Sequence, residues 1–98
     1  MNYDDFVAQD RRLSILIFLC GLSERRANQF VLRTGLKQMG YDELVPTVYN
    51  DVIFLSRQGL VTTEKLPGDI LLATVTDYGD QVSRGVARVQ GVAVPASV

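Results

Sequence analysis

The side chains that could do chemistry in this 98-residue chain are mainly carboxylates, because the sequence has no histidine and one cysteine. The lack of histidine removes the commonest general base and the commonest metal ligand. The adjacent acids Asp4–Asp5 and Asp42–Glu43 could serve in acid–base catalysis or metal binding, although such pairs are more often solvated surface charges. Phosphate-binding loops, dinucleotide fingerprints and zinc spacings are absent. We therefore predict no enzyme activity, no catalytic residue, no metal and no cofactor.

The single cysteine, Cys20, closes the apolar run Leu13–Cys20. No basic residue adjoins it to activate the thiol, so we expect it to pack as a small hydrophobic side chain. The run is shorter than the roughly 20 residues that span a bilayer. Three aspartates precede it, which is atypical of a signal peptide. The sequence therefore predicts a cytoplasmic protein without membrane contact.

Positive and negative charges nearly balance, with ten Lys and Arg against eleven Asp and Glu and a formal net charge of −1. Dedicated nucleic-acid binders usually carry a basic excess, so any attraction to phosphate here must come from local clustering. The doubled basic sites are Arg11–Arg12 and Arg25–Arg26. We expect solvated helix-surface charges at these sites. The alternative is a joint basic patch, if the first helix and the following turn meet.

The apolar pattern predicts a single α+β domain, mainly helical, over residues 1–98. Helical spacing indicates four helices, at about residues 2–22, 27–40, 45–58 and 77–84. Apolar and β-branched runs on either side of the turn Pro67–Asp69 indicate a β-hairpin, with strands at 60–66 and 70–75. Thr76 is a good N-cap for the last short helix. Residues 86–98 are predicted to be an extended tail that lies on the domain or on a partner.

The first predicted helix is apolar on more sides than one domain surface requires. A helix of this kind must be buried on more than one face, and a second copy of the chain could supply the additional cover. We therefore predict a homodimer whose interface lies on this helix, with candidate residues Ile15, Phe18, Leu19 and Leu22.

Two local patterns resemble those of winged helix-turn-helix regulators. Leu55–Val61 is similar to the L-x-x-x-G-L-V step that leads from the third helix into the wing. Val75–Gly79 resembles the L-T-x-x-G that follows the wing, where the threonine caps the closing helix. The resemblance implies a winged helix-turn-helix fold with three helices, a β-hairpin wing, a short C-terminal helix and an extended tail.

The whole chain also resembles a family of short proteins from Mu-like phages and prophages, often labelled ArsR-like. The likeness is carried by residues 2–6, by residues 10–13, and by the tail 85–92 with Pro95 after it. It implies a phage or prophage protein in the cytoplasm of a bacterial host, with a role in DNA binding and transcription regulation. ArsR-type metal sensing is not expected, because its usual cysteine and histidine ligands are missing.

In the usual docking of this fold, the third helix enters the major groove and the wing touches the backbone. Helical geometry points Pro46, Asn50, Ile53, Phe54 and Arg57 outward, with Thr47 on the flank. Thr47 and Asn50 could then read base edges, Arg57 and Lys65 could meet phosphates, and the second helix could add backbone contacts. The candidate DNA-binding residues are Thr47, Asn50, Arg57, Lys65, Arg33 and Lys37.

Other features of the same region favour a protein partner. Asp42, Glu43 and Asp51 near the start of the third helix would repel phosphate, and an exposed Ile53–Phe54 pair would suit a protein surface. The sequence therefore leaves two functions open. One is binding of double-stranded DNA, and the other is a protein-interaction module, such as a phage assembly or regulatory adaptor.

Overall fold

A three-stranded antiparallel sheet and four helices make up the part of the chain that the structure, a computed structural model, describes: residues 2–96. The elements are α1 Tyr3–Cys20, β1 Arg26–Asn28, α2 Gln29–Gln38, α3 Val45–Arg57, β2 Val61–Leu66, β3 Ile70–Val75 and α4 Asp77–Ser83. The sheet has the order β1-β3-β2, so β3, the second strand of the hairpin, lies in the centre. This α+β arrangement is consistent with the winged-helix plan that the sequence predicts.

The helix boundaries follow from capping side chains. Asn2 and Asp5 form a reciprocal capping box at the start of α1. Asn28 accepts hydrogen bonds from two backbone N–H groups at the start of α2. Thr76 accepts from the Gly79 N–H at the start of α4, which confirms the predicted cap. At the end of α3, Gly59 has a φ of +78°, a left-handed conformation that suits glycine and stops the helix.

The predicted start of the second helix, at about residue 27, is too early by two residues, because α2 begins at Gln29. Arg26–Asn28 instead form the edge strand β1, with Ala27 opposite Ala73 of β3. A three-residue strand is too short to show an alternating pattern, so only its tertiary pairing reveals it. The next residue, Gln29, extends the pairing through its side chain. Its Oε1 accepts from the Leu71 N–H at 2.8 Å, and its Nε2 donates to the Asp69 carbonyl at 2.7 Å.

The core is enclosed by α1 on one side and by the sheet and the other three helices on the other. α1 contributes Ile15, Leu16 and Leu19, all fully buried within the chain's own core. The prediction that Ile15 and Leu19 belong to a dimer interface is therefore wrong, since its own chain already covers them. The core residues with 0–2% exposure from the other elements are Leu32, Leu36, Val48, Val52, Leu55, Leu60, Val61, Leu71, Ala73 and Val82.

The other two proposed interface residues, Phe18 and Leu22, are half-buried against this core. The ring of Phe18 lies directly over Gly35 of α2, where a side chain would collide with it. The all-round apolar character of α1 is thus explained largely by packing within one chain. On α1, the large apolar side chains left exposed are Tyr3, Phe6 and Ile17. The homodimer itself stays a prediction.

The tail that follows α4 lies on the chain's own domain. Val92 is buried in the core, and the Ala93 N–H donates to the Gln9 carbonyl of α1 at 3.1 Å. Gly91 has a φ of +96° and packs against the ring of Phe54 on α3. The tail therefore bridges α1 and α3 over residues 91–93. Its last two residues, 97 and 98, lie outside the described range.

Gly79 of α4 provides a test of this packing. A Cβ there would lie well inside van der Waals distance of the Leu60 carbonyl oxygen and close to the Val75 side chain. The backbones of Gly79 and Leu60 must shift to make room for this Cβ. We therefore expect Gly79→Ala to lower the free energy of unfolding by about 2–3 kcal/mol in urea titrations. The control is Gly21→Ala, whose Cβ would meet only ordinary contacts at 3.5 Å and should change stability little. Equal stability of the two variants would contradict this packing.

Candidate nucleic-acid interface

The helix α3 buries one side and exposes the other. Val48, Val52 and Leu55 face the core. Pro46, Asn50 and Arg57 are exposed, as helical geometry predicts, and Thr47 is half-buried on the flank. Together they form a ridge along the outer side of the helix, which we call the α3 ridge: Pro46, Thr47, Asn50 and Arg57.

The polar side chains of this ridge have no partner in the described part of the chain. Among residues 2–96, the side chains of Thr47, Asn50 and Arg57 take part in no hydrogen bond or ion pair. The same holds, over that range, for Lys65, which is exposed on β2 of the hairpin. These four predicted DNA-binding side chains are therefore available to a ligand.

The two predicted contacts on α2 are placed differently. Arg33 is half-buried, and its Nε donates to the Glu43 carbonyl at 2.8 Å. This bond fixes the loop that leads into α3, so Arg33 positions α3. Lys37 is exposed and its Nζ lies 3.9 Å from the Asp42 carboxylate, which is also exposed. Surface pairs of this kind are weak, so Lys37 can leave Asp42 for another anion.

The predicted exposed pair Ile53–Phe54 is wrong, because both side chains are half-buried. Phe54 lies under the tail at Gly91, and the guanidinium of Arg12 stands 4.0 Å from the centre of its ring. This cation–π contact further covers the ring. Helical geometry alone pointed both residues outward because it contains no information about the tail.

Asp51 does not repel a ligand, because its carboxylate is buried at 3% exposure and held by two arginines of α1. Arg11 forms a close ion pair through Nε to Oδ2 and a second bond, of 3.1 Å, to Oδ1. Arg12 donates to Oδ1 at 3.2 Å and to the Gly91 carbonyl at 3.0 Å. The hydrogen bond that Arg11 donates to the Asp51 carboxylate raises the pKa of Arg11. We call these three residues the Asp51 cluster.

The expectation that Arg11–Arg12 are solvated surface charges is therefore wrong. Arg11 is buried and Arg12 is mostly covered. A signal for this was present in the sequence. Asp51 follows Val48 by three residues and precedes Leu55 by four, so it falls on the buried side of α3, where a carboxylate needs a cationic partner.

The second doubled basic site, Arg25–Arg26, is exposed and paired with acids of its own region. Arg25 has a φ of +57° and lies 3.4 Å from the Asp80 carboxylate of α4. Arg84, hydrogen-bonded to the same carboxylate at 3.1 Å, lowers the pKa of Asp80, and Arg25 adds to the effect. Because Arg11 and Arg12 are occupied by Asp51, no joint basic patch forms between the two doubled sites.

An open groove adjoins the α3 ridge, with a volume of about 370 Å³. It lies between the start of α2, the first half of α3 and the turn of the hairpin. The sequence did not indicate it, since it arises where three separate segments meet. Its lining residues are Gln29, Phe30, Val45, Pro46, Tyr49, Asn50, Gly68 and Asp69.

Within residues 2–96, no helix is both long and apolar enough to cross a membrane. Over the same residues, no three or more Cys, Asp or Glu side chains come together in a way that could hold a metal ion. Cys20 is half-buried, with its Sγ 3.6 Å from the Ser83 hydroxyl and 3.8 Å from the Asp80 carboxylate.

The fold and the exposed ridge define a small α+β protein consistent with the winged-helix plan. No protein-family model matches the chain. It is 36% identical over 92 residues to the uncharacterized protein gp26 of Escherichia phage Mu, a match that covers 94% of each chain. It is 30% identical over 76 residues to an uncharacterized protein of Haemophilus influenzae strain Rd, covering 78% of this chain and 74% of that protein. The chain belongs to the Mu-like phage protein family of gp26, which confirms the predicted phage family; the ArsR-like label stays a prediction.

The Asp51 cluster is open to a direct test. We expect Asp51→Asn to lower the free energy of unfolding by about 3 kcal/mol, because it removes the hydrogen-bonded carboxylate and leaves buried Arg11 only the more exposed Glu43 carboxylate, 3.6 Å away. Urea unfolding followed by circular dichroism measures the change. Asp42→Asn is the matched control, since Asp42 is exposed and its pair with Lys37 is worth little. A loss below about 1 kcal/mol in Asp51→Asn would show that the cluster is not a major source of stability.

Proposed function

We propose that this phage protein is a non-catalytic winged-helix protein that binds double-stranded DNA and acts in transcription regulation. In this proposal α3 enters the major groove, and the β2–β3 hairpin acts as the wing against the sugar–phosphate backbone. The observation that carries it is the α3 ridge, whose polar side chains have no partner within the described residues.

The dimensions and the charges of α3 support this docking. A 13-residue helix is about 20 Å long, and the major groove, about 12 Å wide, admits an α-helix. Asp51, whose charge would otherwise oppose binding, is buried on the far side of α3 and compensated by Arg11 and Arg12. The ridge itself contains no carboxylate. Arg57 at the end of α3 and Lys65 on the wing supply positive charge at two separate points.

The number of free cations sets how strongly binding depends on salt. Each phosphate that a protein neutralises lowers the slope of log K against log salt by about 0.9. With Arg57 and Lys65 as the main phosphate contacts, we expect a slope of roughly −2 per bound chain. This dependence is shallow, and it matches a chain whose net charge is −1.

Fluorescence anisotropy with a mixed pool of duplex DNA, over a range of salt concentrations, tests the proposal. We expect binding at low salt, and we expect Arg57→Gln to bring the slope about one unit closer to zero. Arg88→Gln is the control, because Arg88 is an exposed arginine in the tail. Absence of binding at low salt would refute the proposal. An unchanged slope in Arg57→Gln would remove Arg57 from the interface.

A second candidate function, a phage assembly or regulatory adaptor, is favoured by the open groove. Its wall includes the side chains of Phe30, Val45, Pro46 and Tyr49, and Phe30 is half-exposed. Apolar pockets of this kind accept an anchoring side chain of a protein partner.

Two variants separate the candidates. Proteins that co-purify with each variant from phage-infected cells are identified by mass spectrometry. If the protein is an adaptor that uses the groove, Phe30→Asp should lose the partner and Arg57→Gln should keep it. A DNA-binding protein should lose affinity in Arg57→Gln. Retention of the partner by Phe30→Asp would exclude the groove as the binding surface.

A further inference from the structure

The first half of α3 has the chemistry to recognise one base in particular. We infer that the DNA site of this protein contains an A·T pair at the centre of the α3 contact, and that Asn50 recognises the adenine. This inference rests on the proposed function and names the DNA sequence class that the α3 ridge would select.

The major-groove edges of adenine and guanine differ in one group. Adenine presents the N7 acceptor and the N6 amino donor, whereas guanine presents two acceptors, N7 and O6. A carboxamide has one acceptor oxygen and a donor NH₂ group, so it pairs with both positions on adenine. Two-point recognition of guanine requires two donors, which arginine or lysine supplies.

Asn50 is suited to this role by its position. It lies in the second turn of α3, is exposed, and its carboxamide has no hydrogen-bond partner among residues 2–96. The other amide near the groove, Gln29, is buried and fully engaged with Leu71 and Asp69. Asn50 is therefore the available carboxamide in the first half of the helix.

No cation competes with Asn50 at this position. Over residues 45–50 of α3 the sequence is Val-Pro-Thr-Val-Tyr-Asn, without lysine or arginine. Arg57 follows Asn50 by seven residues, which separates their backbone positions by about 10 Å along the helix axis. Arg33 is held by the Glu43 carbonyl. Guanine therefore has no two-donor partner beside Asn50.

The surroundings of Asn50 also suit thymine. Pro46 lies one turn before it, and Tyr49 precedes it directly, and both contribute to the wall of the open groove. The C5-methyl group of thymine is the apolar feature of the major groove and is recognised by apolar contact. An A·T pair thus matches the carboxamide and the apolar wall together.

The experiment has two stages. Duplexes with a random core are first selected on the full chain, and the enriched cores are expected to share an A·T pair. Wild-type affinity for the enriched duplex is then measured by anisotropy with each adenine in turn replaced by 7-deazaadenine, which lacks the N7 acceptor. We expect one position to weaken wild-type binding about tenfold. At that position Asn50→Ala should show no further loss, since it has already lost the contact.

Gln81→Ala, which removes an exposed amide of α4, is the matched control and should respond to 7-deazaadenine as the wild type does. Enrichment of G·C cores, or an equal effect of 7-deazaadenine on wild type and Asn50→Ala, would overturn the inference and leave DNA binding intact. Failure to retain any duplex at low salt would overturn the proposed function together with it. The modified-DNA measurement on the wild type needs no variant, so a misfolded Asn50→Ala protein would not leave the question unanswered.

Discussion

The buried carboxylate of Asp51 is the constraint on which the placement of α3 depends. A charge removed from water needs a counter-charge and hydrogen bonds on its remaining lone pairs, and Arg11 and Arg12 supply both. Because the two arginines are neighbours on α1, the cluster fixes how α3 lies against α1. Arg12 also binds the Gly91 carbonyl and covers Phe54, so the same charge ties the tail to this pair of helices.

A second connection sets α2 and the hairpin relative to each other. The carboxamide of Gln29 donates and accepts as a backbone peptide would, which joins the start of α2 to the hairpin at Asp69 and Leu71. The Arg33 bond to the Glu43 carbonyl then holds the loop into α3. The lining of the open groove includes Gln29 and Asp69, which are joined by one of these hydrogen bonds. These bonds therefore help to set the shape of the groove.

Most of the elements were predictable from local patterns, because caps, turns and helical spacing act within a few residues. Thr76, Gly59 and the turn at Pro67–Asp69 each mark a boundary that the structure has at the same place. The strand β1 was not predictable in this way, since its three residues become a strand only by pairing with β3. The roles of Arg11, Arg12 and Asp51 depend on contacts across about 40 positions, and no local pattern specifies their partner.

The distinction between local patterns and long-range contacts also explains which residues of α3 are exposed at the candidate site. Exposure of Asn50 and Arg57 follows from helical geometry and needs no knowledge of neighbouring elements. Ile53 and Phe54 occupy equally outward positions on the helical wheel, but both pack against the core, and the tail at Gly91, more than 30 residues later, lies on Phe54. Geometry within one helix therefore predicts which side chains point away from the buried side of that helix. It does not predict which of them a distant segment later covers.

The bond between Arg12 and the Gly91 carbonyl spans 79 positions of the chain, and it has a consequence for the order of folding. During synthesis, α1 and α3 are complete long before Gly91 is made. Until then the Arg12–Asp51 pair lacks the tail and stays more accessible to water, where ion pairs are weaker. The two helices can therefore be sealed only once the tail is made, and because α4 packs on α1, the loop that remains to be closed is short, residues 84–90.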